Sequence, residues 1–141
     1  MKTDILVVGS GIAGLSFALR AAKFASVTVV TKDDAMESNT QYAQGGLAGV
    51  FGKDDDFALH VQDTLKAGDG LCEEEAVKVL VENAPEAISW LDELGVGFDK
   101  NGSFHLGKEA VHSKRRIVHV GDSTGKSIQK ILVEKVKADK N

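Results

Sequence analysis

The feature that most restricts this chain is Gly9-Ser10-Gly11-Ile12-Ala13-Gly14. It is a G-x-G-x-x-G run lying directly after the apolar stretch Ile5 to Val8 and just before a helix-forming segment. The first glycine permits a tight turn, the second lets backbone approach a pyrophosphate, and the third lets the helix pack closely on the strand. The pattern carries weight only in that context of strand before and helix after. Helix N–H groups and the helix dipole then face the phosphate charge. The competing reading is a glycine-rich structural turn in an unrelated α/β protein.

The flanking residues supply the context. Asp4 to Val8 is a continuous apolar run, as expected of a parallel strand covered on both faces. Leu15 to Phe24 follows with Leu15, Ala18, Leu19 and Ala22 at helical spacing, and Val27 to Thr31 is rich in β-branched residues. Strand, turn, helix and strand occupy about thirty residues, the length of a βαβ unit. The fold class expected is therefore α/β: a Rossmann-like fold with a parallel sheet between helices, in three layers.

Further along, Asp33 to Gly52 is a long polar loop carrying Gly45, Gly46, Gly49 and Gly52. Long ordered loops are often functional. Asp54 to Ala67 resumes helical spacing with Phe57, Val61 and Leu65 on one stripe. Glu73, Glu74 and Glu75 open another helix with Val77, Leu80 and Val81 on its apolar face. Pro85 reads as an interruption, with Asn83 capping a new helix that buries Ala87, Ile88, Leu91 and Leu94 and ends at Gly95. Val96 to His105 reads as a hairpin around Asn101-Gly102, and Arg116 to Val120 as a short strand. Asp122 with Ser123 or Thr124 caps a final helix through Ile128 to Val136. An alternating chain leads from such a helix into another strand, so an N-terminal fragment of a longer protein is expected.

Composition narrows the function classes. The 141 residues are 43% hydrophobic and 27% charged, a soluble globular balance with room for one cofactor-binding domain but not a separate substrate domain. A net charge of −4 argues against nucleic acid, and Lys114-Arg115-Arg116, the only basic run, reads as a solvated patch. The single Cys72 excludes an intramolecular disulfide and a cysteine-built metal site, which suits a reducing cytoplasm. The N-terminal apolar run is too short for a signal peptide or a membrane span.

The choice of dinucleotide turns on the end of the second strand. NAD-binding units usually carry Asp or Glu there to accept from the ribose. Here the position falls on Thr31-Lys32, with Asp33 and Asp34 just beyond. A cation at Lys32 weakens a plain NAD reading and is compatible with a 2′-phosphate, with FAD or with solvent.

Ser38-Asn39-Thr40-Gln41-Tyr42-Ala43-Gln44-Gly45-Gly46 closely resembles the second FAD-binding segment of the succinate dehydrogenase/fumarate reductase flavoprotein family. Asp63 to Gly68, Leu71-Cys72, Asp92 to Val96, Glu109 through His112-Ser113 to Arg116, and Asp122 to Gly125 match in order, so the resemblance runs from Asp4 to about Val136. Within the family it is strongest to the aspartate-oxidising branch. The resemblance implies that residues 1–141 are the N-terminal FAD-binding portion of a longer flavoprotein. Gly9, Ser10, Gly11, Ile12, Ala13 and Gly14 would then meet the FAD pyrophosphate and Lys32 the adenosine side. Asn39, Thr40, Gln41, Tyr42, Ala43, Gln44, Gly45 and Gly46 would wrap the cofactor towards its flavin end. Glycine at 45 and 46 suits close backbone approach to a flat ring. The respiratory enzymes of the family carry at the Asn39 position the histidine that attaches FAD covalently. Asparagine cannot form that link, which implies noncovalent FAD.

Glu109 matches the glutamate that orients L-aspartate through its α-amino group, a role suited to a carboxylate. The two glycines that usually follow are replaced here by Ala110-Val111. The implied reaction is oxidation of L-aspartate to iminoaspartate, feeding quinolinate and NAD synthesis. Oxygen or fumarate is the implied electron acceptor, and quinolinate synthase the downstream partner. A soluble fumarate reductase-like flavoprotein and a catalytically silent FAD-binding module are the alternatives. Arg115 or Arg116 is a candidate attractor for a dicarboxylate. Among the histidines, His60 reads as structural or surface, His105 and His112 flank the substrate-side segment, and His119 lies in an apolar context and reads as structural. Their spacing makes no compact ligand set, so no metal site is expected.

Overall fold

A computed structural model describes residues 2–109 and 111–141. Its elements run β1 (Ile5–Val8), α1 (Ile12–Ala21), β2 (Val27–Val30), α2 (Asn39–Tyr42), β3 (Leu47–Ala48), α3 (Phe57–Ala67) and α4 (Glu74–Leu94). They continue with β4 (Lys100–Asn101), β5 (Ser103–Phe104), β6 (Leu106–Gly107), β7 (Ile117–Val118) and α5 (Thr124–Ala138).

The opening βαβ unit follows from local sequence. β1 and β2 are parallel and in register, Ile5 opposite Val27 and Val8 opposite Val30. A Cβ at Gly14 would collide with the Gly9 carbonyl and press on Val7, so only glycine lets α1 lie this close to the strand. The small residues Ala18 and Ala21, with Leu15, fill the interface. One expectation is corrected. Val7 is buried, but Leu6 and Val8 are 58% and 80% exposed, so among the described residues β1 is covered on one face only. A short apolar run looks the same whether one face or both are covered.

The remaining strands are short and antiparallel. β7 lies between β3 and β6, and β4 pairs with β5 as the expected hairpin. Gly102 turns the hairpin at φ +75°. The core joins Leu15 of α1, Ile88 and Leu91 of α4, Val118 of β7, and Ile128, Leu132 and Val133 of α5. Val96 and Phe98 complete it just after α4.

Two helices depart from expectation. α4 is one helix of 21 residues that runs through Pro85. An interior proline costs about 3 kcal/mol. Val77 and Val81 before it and Ile88 and Leu91 after it are buried on one stripe, at about 1.5–3 kcal/mol for each fully buried side chain. Burial therefore outweighs the break. Asn83, expected as a cap, instead donates through Nδ2 to the Val79 carbonyl at 2.7 Å. Leu80 is 66% exposed rather than part of the buried face. In α3 the buried side chains are His60 and Asp63, while Phe57 is 44% exposed. Ion pairing to Arg116, 53 residues away, turns the polar stripe inward. The C-terminus of α4 follows expectation, with Gly95 in the left-handed region at φ +104°.

Candidate functional site

The glycine turn is held from three sides. Gly9 N–H donates to the Val30 carbonyl at 2.8 Å, joining the turn to the end of β2. Ser10 Oγ donates to Thr31 Oγ1 at 3.1 Å. Gly11 has no side chain to cap α1, and Thr40 Oγ1 accepts from Ile12 N–H at 3.0 Å in its place. The first helical segment and the polar loop are thereby joined.

Between these parts lies a cleft of about 630 Å³. Gly9, Ser10 and Gly11 line one wall, Val30, Thr31 and Lys32 the end of β2, and Glu37 to Thr40 the opposite wall. Of the residues expected to bind cofactor, Gly9, Ser10, Gly11, Lys32, Asn39 and Thr40 come together here. Ala13 lies on the exposed side of the first turn of α1, and Gly14 packs on β1. Glu37 was not anticipated. Its carboxylate accepts from the Tyr42 hydroxyl at 2.8 Å, which raises the Tyr42 pKa.

Gln41 to Gly46 leads away from this cleft. Ser38 caps α2 by accepting from Gln41 N–H at 3.3 Å. Close packing fixes the rest: a Cβ at Gly125 would strike the Thr40 and Ala43 carbonyls, and one at Gly46 would strike the Val118 carbonyl and Ile117. Gly125 N–H also donates to Ala43 O at 3.0 Å. Glycine in α5 and in the loop thus brings α2 onto α5 and lays the loop flat on β7.

Glu109 meets the far end of this loop. A Cβ at Gly45 would stand 3.6 Å from Glu109 Oε1 and 3.7 Å from Oε2. The turn holding Glu109 is closed by His112 N–H donating to the Glu109 carbonyl at 3.0 Å and by Lys108 Nζ donating to Ser113 O at 3.1 Å. Ala110 lies outside the described residues, and Val111 is 45% exposed.

Behind this turn is a buried ionic network. Arg116 is fully buried and grips Asp55 through Nε at 2.9 Å and Nη2 at 2.7 Å, and Asp63 through Nη1 at 2.7 Å. Asp63 also accepts from the Ser113 N–H and hydroxyl at 2.7 and 2.8 Å. Burial raises the Asp63 carboxyl, but the Ser113 bonds and the Arg116 guanidinium outweigh it and lower its pKa to about 2. Arg116 is therefore neither a solvated charge nor an attractor for a dicarboxylate. Of the expected basic patch, Lys114 pairs with Asp54 at 2.9 Å and Arg115 stays exposed.

The histidines form two pairs. His60 and His112 pack edge to face at 5.7 Å, each with a buried, unpartnered Nδ1. Burial, then the Arg116 charge, lowers the His60 pKa. His105 Nδ1 and His119 Nε2 stand 3.2 Å apart, and His119 Nδ1 lies 3.2 Å from Asp99 Oδ2. His119 is thus a polar link rather than a residue in an apolar setting. Among the described residues no group of three or more His, Cys, Asp or Glu is placed to hold a metal.

A glycine turn at a helix start, an adjoining cleft and a lysine at its β2 end suit a pyrophosphate-containing nucleotide. The family model described as FAD binding domain matches residues 4–140, nearly the whole chain. The chain belongs to this FAD-binding domain family. Its cofactor is FAD, and the glycine turn together with the positive end of α1 fits the cofactor's charge. The FAD-binding domain is 49% identical over 135 residues to L-aspartate oxidase 2-a, chloroplastic, of Nicotiana tabacum, covering 94% of this chain and 21% of that protein. It is 48% identical over 139 residues to L-aspartate oxidase of Yersinia pestis, covering 94% and 26%. The chain spans only that fraction of these relatives' length. Among solved structures, it superposes on an E. coli quinol fumarate reductase with TM-score 0.92 at 29% identity, covering 99% of this chain and 25% of that one. A Mycobacterium smegmatis Sdh1 complex gives 0.87 at 30%, covering 94% and 23%.

Proposed function

We propose that residues 1–141 are the FAD-binding portion of a longer L-aspartate oxidase, acting in the cytoplasm and holding FAD without a covalent bond. The observation that carries this reading is the Glu109 carboxylate lying against Gly45, at the end of the loop that leads from the cleft. The high identity to proteins named L-aspartate oxidase supports it, as does Asn39 at the cleft wall, a residue with no nucleophile for a flavin link. Within the described residues no helix is long and apolar enough to cross a membrane.

In this reading the glycine turn and the start of α1 bind the pyrophosphate, Lys32 meets the adenosine side, and residues 39–46 carry the flavin end. When bound, FAD would supply the hydride acceptor for oxidation of L-aspartate at Cα to iminoaspartate, with oxygen or fumarate as the electron acceptor. Glu109 pairs with the substrate's α-ammonium and fixes which face of Cα is presented. The Arg116 network holds the Glu109 turn without touching substrate. Iminoaspartate passes on towards quinolinate synthase and NAD synthesis.

The superposition on fumarate reductase favours a second reading, a soluble fumarate reductase-like flavoprotein. Steady-state turnover by the full polypeptide that carries this chain separates the two. Turnover of L-aspartate and release of intact FAD on acid denaturation are expected. Turnover of succinate or fumarate without aspartate would assign the second reading.

A further inference from the structure

We infer that Gln129 is a positioning residue for the cofactor turn, its side-chain amide aiming the Gly11 N–H into the cleft through the Ser10 peptide. The inference rests on reading the glycine turn as the pyrophosphate site. Gln129 lies on α5, fully buried, and Nε2 donates at 2.7 Å to the Ser10 carbonyl and at 2.7 Å to the Ala35 carbonyl. Both amide hydrogens are therefore engaged, one by the turn after β1 and one by the loop after β2.

The geometry of the peptide group gives this clamp a consequence. In a trans peptide the C=O and the following N–H point in opposite directions, and the described residues contain no cis bond. With the Ser10 carbonyl drawn inward to Gln129, the Gly11 N–H points outward, on the side where Gly11 lines the cleft. Two other donors of the turn are already committed: Gly9 N–H to the Val30 carbonyl and Ile12 N–H to Thr40 Oγ1. Gly11 N–H, at the cleft wall, is open to a phosphate oxygen. Glycine at 11 offers little resistance to a flip of this peptide, so its orientation must be imposed from outside.

The unused atom of the same side chain supports a role beyond packing. Gln129 Oε1 is buried with no hydrogen-bond partner. An orphaned buried acceptor destabilises the fold. Methionine or leucine would fill nearly the same space without it, but would leave the Ser10 and Ala35 carbonyls without their donor.

The test is Gln129→Met in the full-length flavoprotein. The expected result is FAD affinity weaker by about tenfold or more, the loss of one charge-assisted contact, in an apoprotein that still folds although its melting temperature falls. The phosphorus NMR resonances of the bound pyrophosphate should also move. FAD affinity within about twofold of wild type, or unmoved phosphorus resonances, would each overturn the inference. Should the variant not fold, wild type still decides, since the Gly11 amide proton must shift downfield and gain exchange protection when FAD binds. Absence of that change overturns the proposal. Failure of wild type to bind FAD would instead defeat the pyrophosphate reading of the turn itself.

Discussion

Glu109 and Gly45 face each other so closely that a methyl group on Gly45 would stand 3.6 Å from the nearer carboxylate oxygen. Sixty-four positions separate them in sequence (109 − 45), and the contact joins the substrate-side turn to the loop leading from the cofactor cleft. Replacing Glu109 by Gln keeps the shape and removes the charge. The loss of a charge-assisted bond, about 1.5–3 kcal/mol, should lower kcat/KM for L-aspartate by roughly tenfold to a hundredfold. FAD affinity should stay unchanged, as measured by steady-state kinetics beside flavin titration.

Gly125 is where α5 meets α2. A Cβ there would strike the carbonyls of Thr40 and Ala43, backbone atoms that cannot turn aside. Gly125→Ala should push α2 away, pull Thr40 Oγ1 from the Ile12 N–H, and cost about 1–3 kcal/mol of stability. Thermal unfolding and FAD titration should both register the change, whereas Gly70→Ala, at a glycine with nothing within 4 Å, should leave FAD affinity alone despite strain at φ +85°.

The Arg116 network gives an acid limb to stability. Asp63 has its folded pKa lowered to about 2, below the ordinary aspartate value of 3.8. Its contribution is present above the unfolded pKa and is lost as pH falls towards the folded value. Denaturant unfolding between about pH 5 and 2 should show this fall, and Asp63→Asn should flatten it. Arg116→Met should cost more, about 3–5 kcal/mol, because it leaves the Asp55 and Asp63 carboxylates buried without their cation.

His60 acts in a higher window. Its folded pKa is lowered below 6.5 by burial first and then by Arg116. The unfolded chain therefore takes up the proton first, and the His60 share of stability is lost as pH falls below the unfolded value. His60→Met should make unfolding free energy less dependent on pH just below neutrality, read by chemical denaturation across that range.

What the sequence discloses depends on how far apart the interacting groups lie. The turn from Gly9 to Gly14 is legible because its steric demands are met within β1 and α1 themselves. The positive φ at Gly95 and Gly102 is legible for the same reason. The cap on α1 is not, since it comes from Thr40, 28 residues later. Gln129 reaches Ser10 across 119 residues and carries no local signal beyond a polar residue on an otherwise apolar helix face. Pro85 misleads because a local break is outweighed by burial of Val77, Val81, Ile88 and Leu91 along one stripe. The polar buried face of α3 is set by Arg116, which sequence spacing alone presents as a surface charge.

The most direct measurement is anaerobic mixing of the full-length, FAD-loaded protein with L-aspartate and, separately, with succinate, following the flavin absorbance through a single turnover. L-aspartate should bleach the flavin, succinate should not, and Glu109→Gln should slow the bleaching without releasing FAD. Bleaching by succinate with none by L-aspartate would contradict the assignment.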